Sequence, residues 1–118
     1  MILADTSVWI DHFRRGHPRL SELLEEGSVL CHPFVVGELA CGNLQNRNEI
    51  LDLLQALPIA QVAEHFEVLR FIEDQQIMGR GLGWIDTHLL VSAKLSGCPI
   101  WTLDKPLAKA AERLGAAF

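Results

Sequence analysis

Asp5, Glu38, Asp86 and Asp104 are each the only formal charge in a long uncharged stretch, and any fold of this chain must give those four carboxylates a partner. Asp5 ends the apolar opening Met1-Ile2-Leu3-Ala4 and precedes Thr6-Ser7-Val8-Trp9-Ile10. Glu38 stands alone between Glu26 and Arg47, Asp86 alone between Arg80 and Lys94, and Asp104 closes Pro99-Ile100-Trp101-Thr102-Leu103. A buried lone carboxylate must be paired, neutralised or bound to a cation. The same stretches contain no lysine or arginine to serve as partner. A hard divalent cation with oxygen ligands, shared by all four acids, is the simplest answer.

The spacing of apolar residues places these acids on elements. Residues 1–4 and 28–31 are predicted as buried strands, 59–62 and 99–102 as two more, and 116–118 as an edge strand. Helices are expected over 6–15, 18–26 and 33–41, with Pro33 as the first helical residue and Gly42 as the stop. Asn48 is the expected cap of a helix that Pro58 ends. Val62, Phe66 and Leu69 mark the core side of a helix reaching about Gln76. After the glycine-rich turn Met78-Gly79-Arg80-Gly81-Leu82-Gly83, helices are expected over 84–95 and 106–114. Glu38 then lies mid-helix, and Asp86 shares an apolar stripe with Leu89, Leu90 and Ala93. Strands alternating with helices predict an α/β fold with a parallel sheet covered on both faces. Ligands of such sheets gather beyond the carboxyl ends of the strands, which both Asp5 and Asp104 directly follow.

At 118 residues and 49% hydrophobic, the chain suits one domain, residues 1–118. Its three cysteines, Cys31, Cys41 and Cys98, lie far apart in apolar surroundings, which suggests neither a disulfide framework nor a zinc site and fits a reduced, cytoplasmic protein. No uncharged apolar run approaches a membrane span, and the expectation is a soluble, unprocessed chain with no membrane association. The net charge is -5, but setting the four acids aside leaves 11 of the 15 acidic residues against 10 basic ones. A nucleic-acid ligand would meet no large basic surface, so metals or a few local cations would have to assist.

With these residues placed, the chain resembles the PIN-domain nucleases, and most closely the small VapC-type ribonuclease toxins of toxin–antitoxin pairs. The resemblance rests on Ile2-Leu3-Ala4-Asp5-Thr6-Ser7, on Glu38 within its apolar helix, on Gly83-Trp84-Ile85-Asp86-Thr87-His88-Leu89-Leu90 and on Thr102-Leu103-Asp104, in that order over nearly the whole length. It implies a three-layer αβα PIN-domain fold with a parallel sheet of about five strands, and Mg²⁺ or Mn²⁺ held by the four acids. It also implies endonucleolytic cleavage of RNA, a homodimer and a cognate antitoxin that neutralises the toxin. Where the family often has an aromatic residue after the last acid, this chain has Lys105-Pro106-Leu107.

On this reading Asp5 and Asp86 are the principal metal ligands, Glu38 and Asp104 direct or water-mediated ones, and all four are catalytic. Thr6, Ser7 and Thr102 resemble hydroxyl positions that bond to ligands or phosphate, while Arg80 and Lys105 border the expected pocket and suit phosphate contacts. Plainer readings stand beside these. Asp5 and Asp104 each directly precede a helix and, taken singly, favour an N-cap, whereas Glu38 and Asp86 lie inside helices and do not. His88 is expected on a helix surface or interface; Trp9, Trp84 and Trp101 are expected in core or interface packing. Two other function classes compete: a receiver-like Mg²⁺-binding phosphoacceptor domain, and a catalytically silent PIN-type binding module. The first is disfavoured because Asp5 is followed by Thr6-Ser7 and the segment near Ile59 carries no Asp; the second, because all four acids are present.

Overall fold

The uncharged opening of the chain becomes the middle of the sheet. In the computed structural model, which describes residues 1–118, β1 (Ile2–Ala4) is buried at every position, so structure covers both of its faces. β2 (Val29–Leu30) and β3 (Ile100–Trp101) flank it, both parallel, in the order β2-β1-β3. Ile2 pairs with Val29 and Leu3 with Leu30 on one side; Leu3 pairs with Ile100 and Ala4 with Trp101 on the other. Parallel strands require crossover connections, and helices supply them. α1 (Thr6–Arg15) and α2 (Pro18–Glu25) join β1 to β2. α3 (Pro33–Cys41), α4 (Arg47–Ala56), α5 (His65–Gln75) and α6 (Trp84–Ser96) span from β2 to β3, and α7 (Lys105–Arg113) follows.

The α/β class is as expected, but the sheet has three strands rather than about five. The expected strands at 59–62 and 116–118 shrink to single parallel bridges, Cys31 with Ile59 and Ile100 with Ala117. At the first bridge the Cys31 N–H donates to Pro58 O and the Ala60 N–H to Cys31 O, both at 2.8 Å, after which Gln61 N–H turns to Ser96 Oγ. Pro58 has no N–H to extend the ladder, and Ile59 and Val62 are exposed, so no apolar burial favours a longer strand. Helix starts follow the local signals, with Pro18 and Pro33 in first helical positions. One cap moved: α4 is preceded by Asn46 in the left-handed region (φ 54°), not by Asn48.

Two expected packing faces are reversed. Phe66 and Leu69 lie on α5 and Val62 in the segment before it, and all three are exposed to solvent. α5 turns Val68 inward, with Phe71 and Ile72 packed beside it, against Val91 of α6. Apolar periodicity marks a face without saying which side it covers, and α5 is apolar on two sides. His88 is likewise not a surface residue: it is 4% exposed, its ring set edge-on against Phe34 at 4.7 Å and Trp84 at 4.8 Å. Trp9 is buried as expected, Trp101 is half-buried, and Trp84 remains partly exposed on this aromatic cluster.

His32 has a role that periodicity does not reveal. It is fully buried and caps α3, its Nδ1 accepting the Phe34 N–H at 3.0 Å while Nε2 meets Ser92 Oγ of α6 at 3.0 Å. Burial, and then the neighbouring His88, hold its pKa down to about 4, so His32 is neutral at physiological pH.

Candidate active site

Because the strands are parallel, their carboxyl ends lie at one edge, and the helices that follow begin there. β1 runs directly into Asp5, the N-cap of α1; β3 runs into Thr102 and then Asp104, the N-cap of α7. Asp5 is 5% exposed and its carboxylate is fully engaged. Oδ1 accepts from Ser7 Oγ at 2.5 Å and from Val8 N–H at 3.3 Å, while Oδ2 accepts from Thr102 Oγ1 at 2.6 Å. Each hydroxyl is in turn an acceptor: the Leu103 N–H donates to Ser7 Oγ at 2.9 Å and the Asp104 N–H to Thr102 Oγ1 at 3.0 Å. Ser7 and Thr102 thereby tie the end of β1 to the turn that carries Asp104. Thr6 does the same for α3, its Oγ1 donating to Glu38 Oε1 at 2.7 Å.

The other acids are less buried than their uncharged surroundings suggest. Glu38 and Asp104 are exposed, since an apolar stretch of helix still has an outer face. Asp104 accepts the Leu107 N–H at 3.1 Å, so both residues that singly suggested caps are caps. Asp86 is one as well, contrary to expectation. It is the third residue of α6, and its Oδ2 accepts the Gly83 N–H at 3.2 Å, one half of a capping box whose other half a glycine cannot make. Glycine at 83 and an acid three residues on was the signal in the sequence for this arrangement.

Capping and clustering coexist here. Asp86 is half-buried, and its pKa is raised by desolvation first and then by the charges of Asp104, Asp5 and Glu38, against the lowering effect of the Gly83 hydrogen bond. Asp86 is therefore close enough to feel the charges of the other three acids. As they stand, no three His, Cys, Asp or Glu side chains converge in metal-holding geometry, because each carboxylate is turned to an internal N–H or hydroxyl. The donors themselves, carboxylate oxygen without nitrogen or sulfur, suit a hard divalent cation.

Arg80 and Lys105 lie on neighbouring segments but pair with none of the acids. Arg80 Nε donates to Gln76 O at 2.7 Å and is exposed, as is Lys105 in the first turn of α7. Gly81, at φ 78°, brings the Arg80 turn against Pro106: a Cβ there would lie 3.6 Å from Pro106 Cβ. The two cations thus flank one side of the acidic edge, and the ion pairs present, Arg15 with Asp11 and Arg19 with Glu22, lie elsewhere.

The raised proton affinity of Asp86 has a measurable consequence. A folded-state pKa above the unfolded value means that ionised Asp86 opposes folding above that folded value, and that this cost disappears as pH falls below the ordinary carboxylate range. In metal-free buffer at pH 7, Asp86→Asn is expected to melt a few degrees above wild type, about the shift that ~1 kcal/mol gives in a small domain. Near pH 3 the two should coincide. Thermal melts at both pH values check this, and a variant that melts lower at pH 7 would mean that the Gly83 bond outweighs the repulsion.

A family model described as the PIN domain matches residues 2–113. Ribonuclease VapC32 of Mycobacterium tuberculosis, from strain H37Rv and from strain CDC 1551 / Oshkosh, is 47% identical over 119 aligned residues, covering 100% of this chain and 96% of the relative. Among solved structures, PAE2754 from Pyrobaculum aerophilum superposes with a TM-score of 0.63 over 96% of this chain and 85% of that one, at 17% identity, a likeness of fold. No helix of the chain is long and apolar enough to cross a membrane. With a family match over nearly its whole length and so near a relative, the chain belongs to the PIN-domain family, among its VapC-type nucleases.

Proposed function

We propose that this chain is a Mg²⁺- or Mn²⁺-dependent endoribonuclease that acts as the toxin of a toxin–antitoxin pair. The observation that carries the reading is the acidic edge itself, where burial first, and then three other carboxylates, push up the proton affinity of a half-buried Asp86, in a chain 47% identical to proteins named ribonuclease. A half-buried carboxylate beside three others implies a compensating cation. Asp5 and Asp86 are the principal ligands in this reading, with Glu38 and Asp104 binding directly or through water. When bound, the metal supplies an activated water and absorbs charge on the phosphorane-like transition state.

The protein's own residues do the positioning. Ser7 and Thr102 hold both oxygens of Asp5, and Thr6 holds one oxygen of Glu38, so their hydroxyls orient ligands more than they contact phosphate. Arg80 and Lys105 are free to meet the RNA backbone beside the acids, where positive charge also offsets the chain's net charge of -5. RNA cleavage is expected with Mg²⁺ or Mn²⁺ and to stop in excess EDTA. Cleavage that continues undiminished in EDTA would remove the metal from the mechanism.

Partners follow from the same surface. The acidic edge attracts an arginine, whose fork binds carboxylates bidentately, and an antitoxin segment carrying one would compete with metal and phosphate. Phe66 and Leu69 on α5, and Val62 ahead of it, are exposed apolar side chains that suit a homodimer contact. Three unpaired cysteines, Cys31 and Cys98 buried and Cys41 exposed, fit a reducing cytoplasm.

A further inference from the structure

A cavity of about 580 Å³ opens beside Glu38 between α1 and the turn from α3 to α4. It lies outside the acidic edge and shares only Glu38 with it. Its floor is apolar and includes Phe13, which is half-buried and stacked on Trp9 at 5.8 Å. Its rim is polar: Asn43, Gln45 and Asn46 contribute three side-chain amides, and Arg14 a guanidinium. All four rim residues are exposed, and Asn46, although it precedes α4, makes no capping bond with its side chain. The turn that carries them is held by Arg47, whose Nη1 donates to Gly42 O at 3.4 Å.

We propose that this cavity is a subsite for one unpaired nucleobase of the RNA, next to the bond that is cut. The inference rests on the ribonuclease reading above and adds a specificity site to it. The apolar part of the lining, Phe13 included, suits the face of a base, and amides that both donate and accept suit its edges, which is how unstacked RNA bases are recognised. The volume falls in the range of pockets that hold a small ligand. Continuity with Glu38 places the base within reach of the scissile phosphate, and Arg14 adds the one cation of the rim, suited to the adjoining backbone phosphate. A docking groove for an antitoxin peptide would need the apolar floor but not three amides on its rim, so the observations favour the base.

The test compares wild type with Asn43→Ala/Gln45→Ala on a randomised RNA pool in Mn²⁺, with the cut ends sequenced. Wild type is expected to favour one base at one position flanking the cut by about tenfold or more, the scale of one bidentate amide–base pair. The double variant should lose that preference at that position alone, keep its other preferences, and cut disfavoured sequences within about twofold of wild type. A cavity-filling change, Ile10→Trp, should raise KM for the favoured sequence about tenfold while leaving Mn²⁺ affinity unchanged, which separates pocket loss from metal loss. An unchanged cleavage pattern in the double variant overturns the proposal. Weakened antitoxin binding with an unchanged pattern also overturns it, and assigns the cavity to the protein partner. Wild type that cuts no RNA in Mn²⁺ would instead overturn the ribonuclease reading, and this subsite with it.

Discussion

Asp86→Asn is expected to lower RNA cleavage by about 10³-fold or more while leaving a folded protein that is more stable than wild type in the absence of metal. The two effects have one origin. The carboxylate that feels Asp104, Asp5 and Glu38 is the one whose charge a shared cation needs most, and its removal relieves the repulsion at the expense of a ligand. Asn can still accept the Gly83 N–H, so the cap survives. Asp5→Asn should lose as much activity but behave differently in folding. Both Asp5 oxygens accept hydroxyl hydrogens, from Ser7 and Thr102, and an amide offers one acceptor where the carboxylate offers two. The Thr102 or Ser7 hydroxyl must then turn elsewhere in a nearly water-free site, which costs about 1–3 kcal/mol. The pair is checked by single-turnover cleavage with Mn²⁺ and by urea unfolding of each variant. If both variants cut RNA at the wild-type rate, the acids are caps alone and the nuclease reading of this edge is wrong.

What could be read from the residues was whatever local chemistry forces. Pro18 and Pro33 start helices because their rings preset the first helical φ and lack an N–H that would go unused there. The lone acids located the site because a carboxylate among apolar neighbours needs a reason. That argument overstated the burial of Glu38 and Asp104, whose neighbours are apolar along the chain but not around the helix. Tertiary choices were not legible in the same way. Nothing local says that α5 faces inward through Val68 rather than Phe66, and the fourth and fifth strands failed for want of burial, not of β-propensity. Thr102 meets Asp5 across 97 positions and Ser7 across 95, and only the register of β1 against β3 brings them together.

His32 shows the same limit, and predicts the largest effect on stability. A histidine before a proline reads as an ordinary strand end, yet here it joins α3, which carries Glu38, to α6, which carries Asp86, through Phe34 N–H and Ser92 Oγ. Held neutral with a pKa of about 4 against an ordinary 6.5, it binds fewer protons in the folded state than in the unfolded one. Its contribution is therefore whole above pH 6.5 and lost progressively as pH falls toward 4, about 3 kcal/mol over that window. His32→Asn removes the titration but keeps a side chain that caps helices well. At pH 7.5 this variant should be less stable than wild type by about 2–3 kcal/mol, from the space vacated by the ring and the unpaired Ser92 hydroxyl. At pH 4.5 most of that gap should close, because only in wild type does an imidazole take up a proton on unfolding. Urea unfolding of both proteins at the two pH values measures the difference directly, with every other titrating group common to the pair. A gap that stays constant with pH would mean that His32 titrates alike in the folded and unfolded chains, so that burial does not hold it neutral.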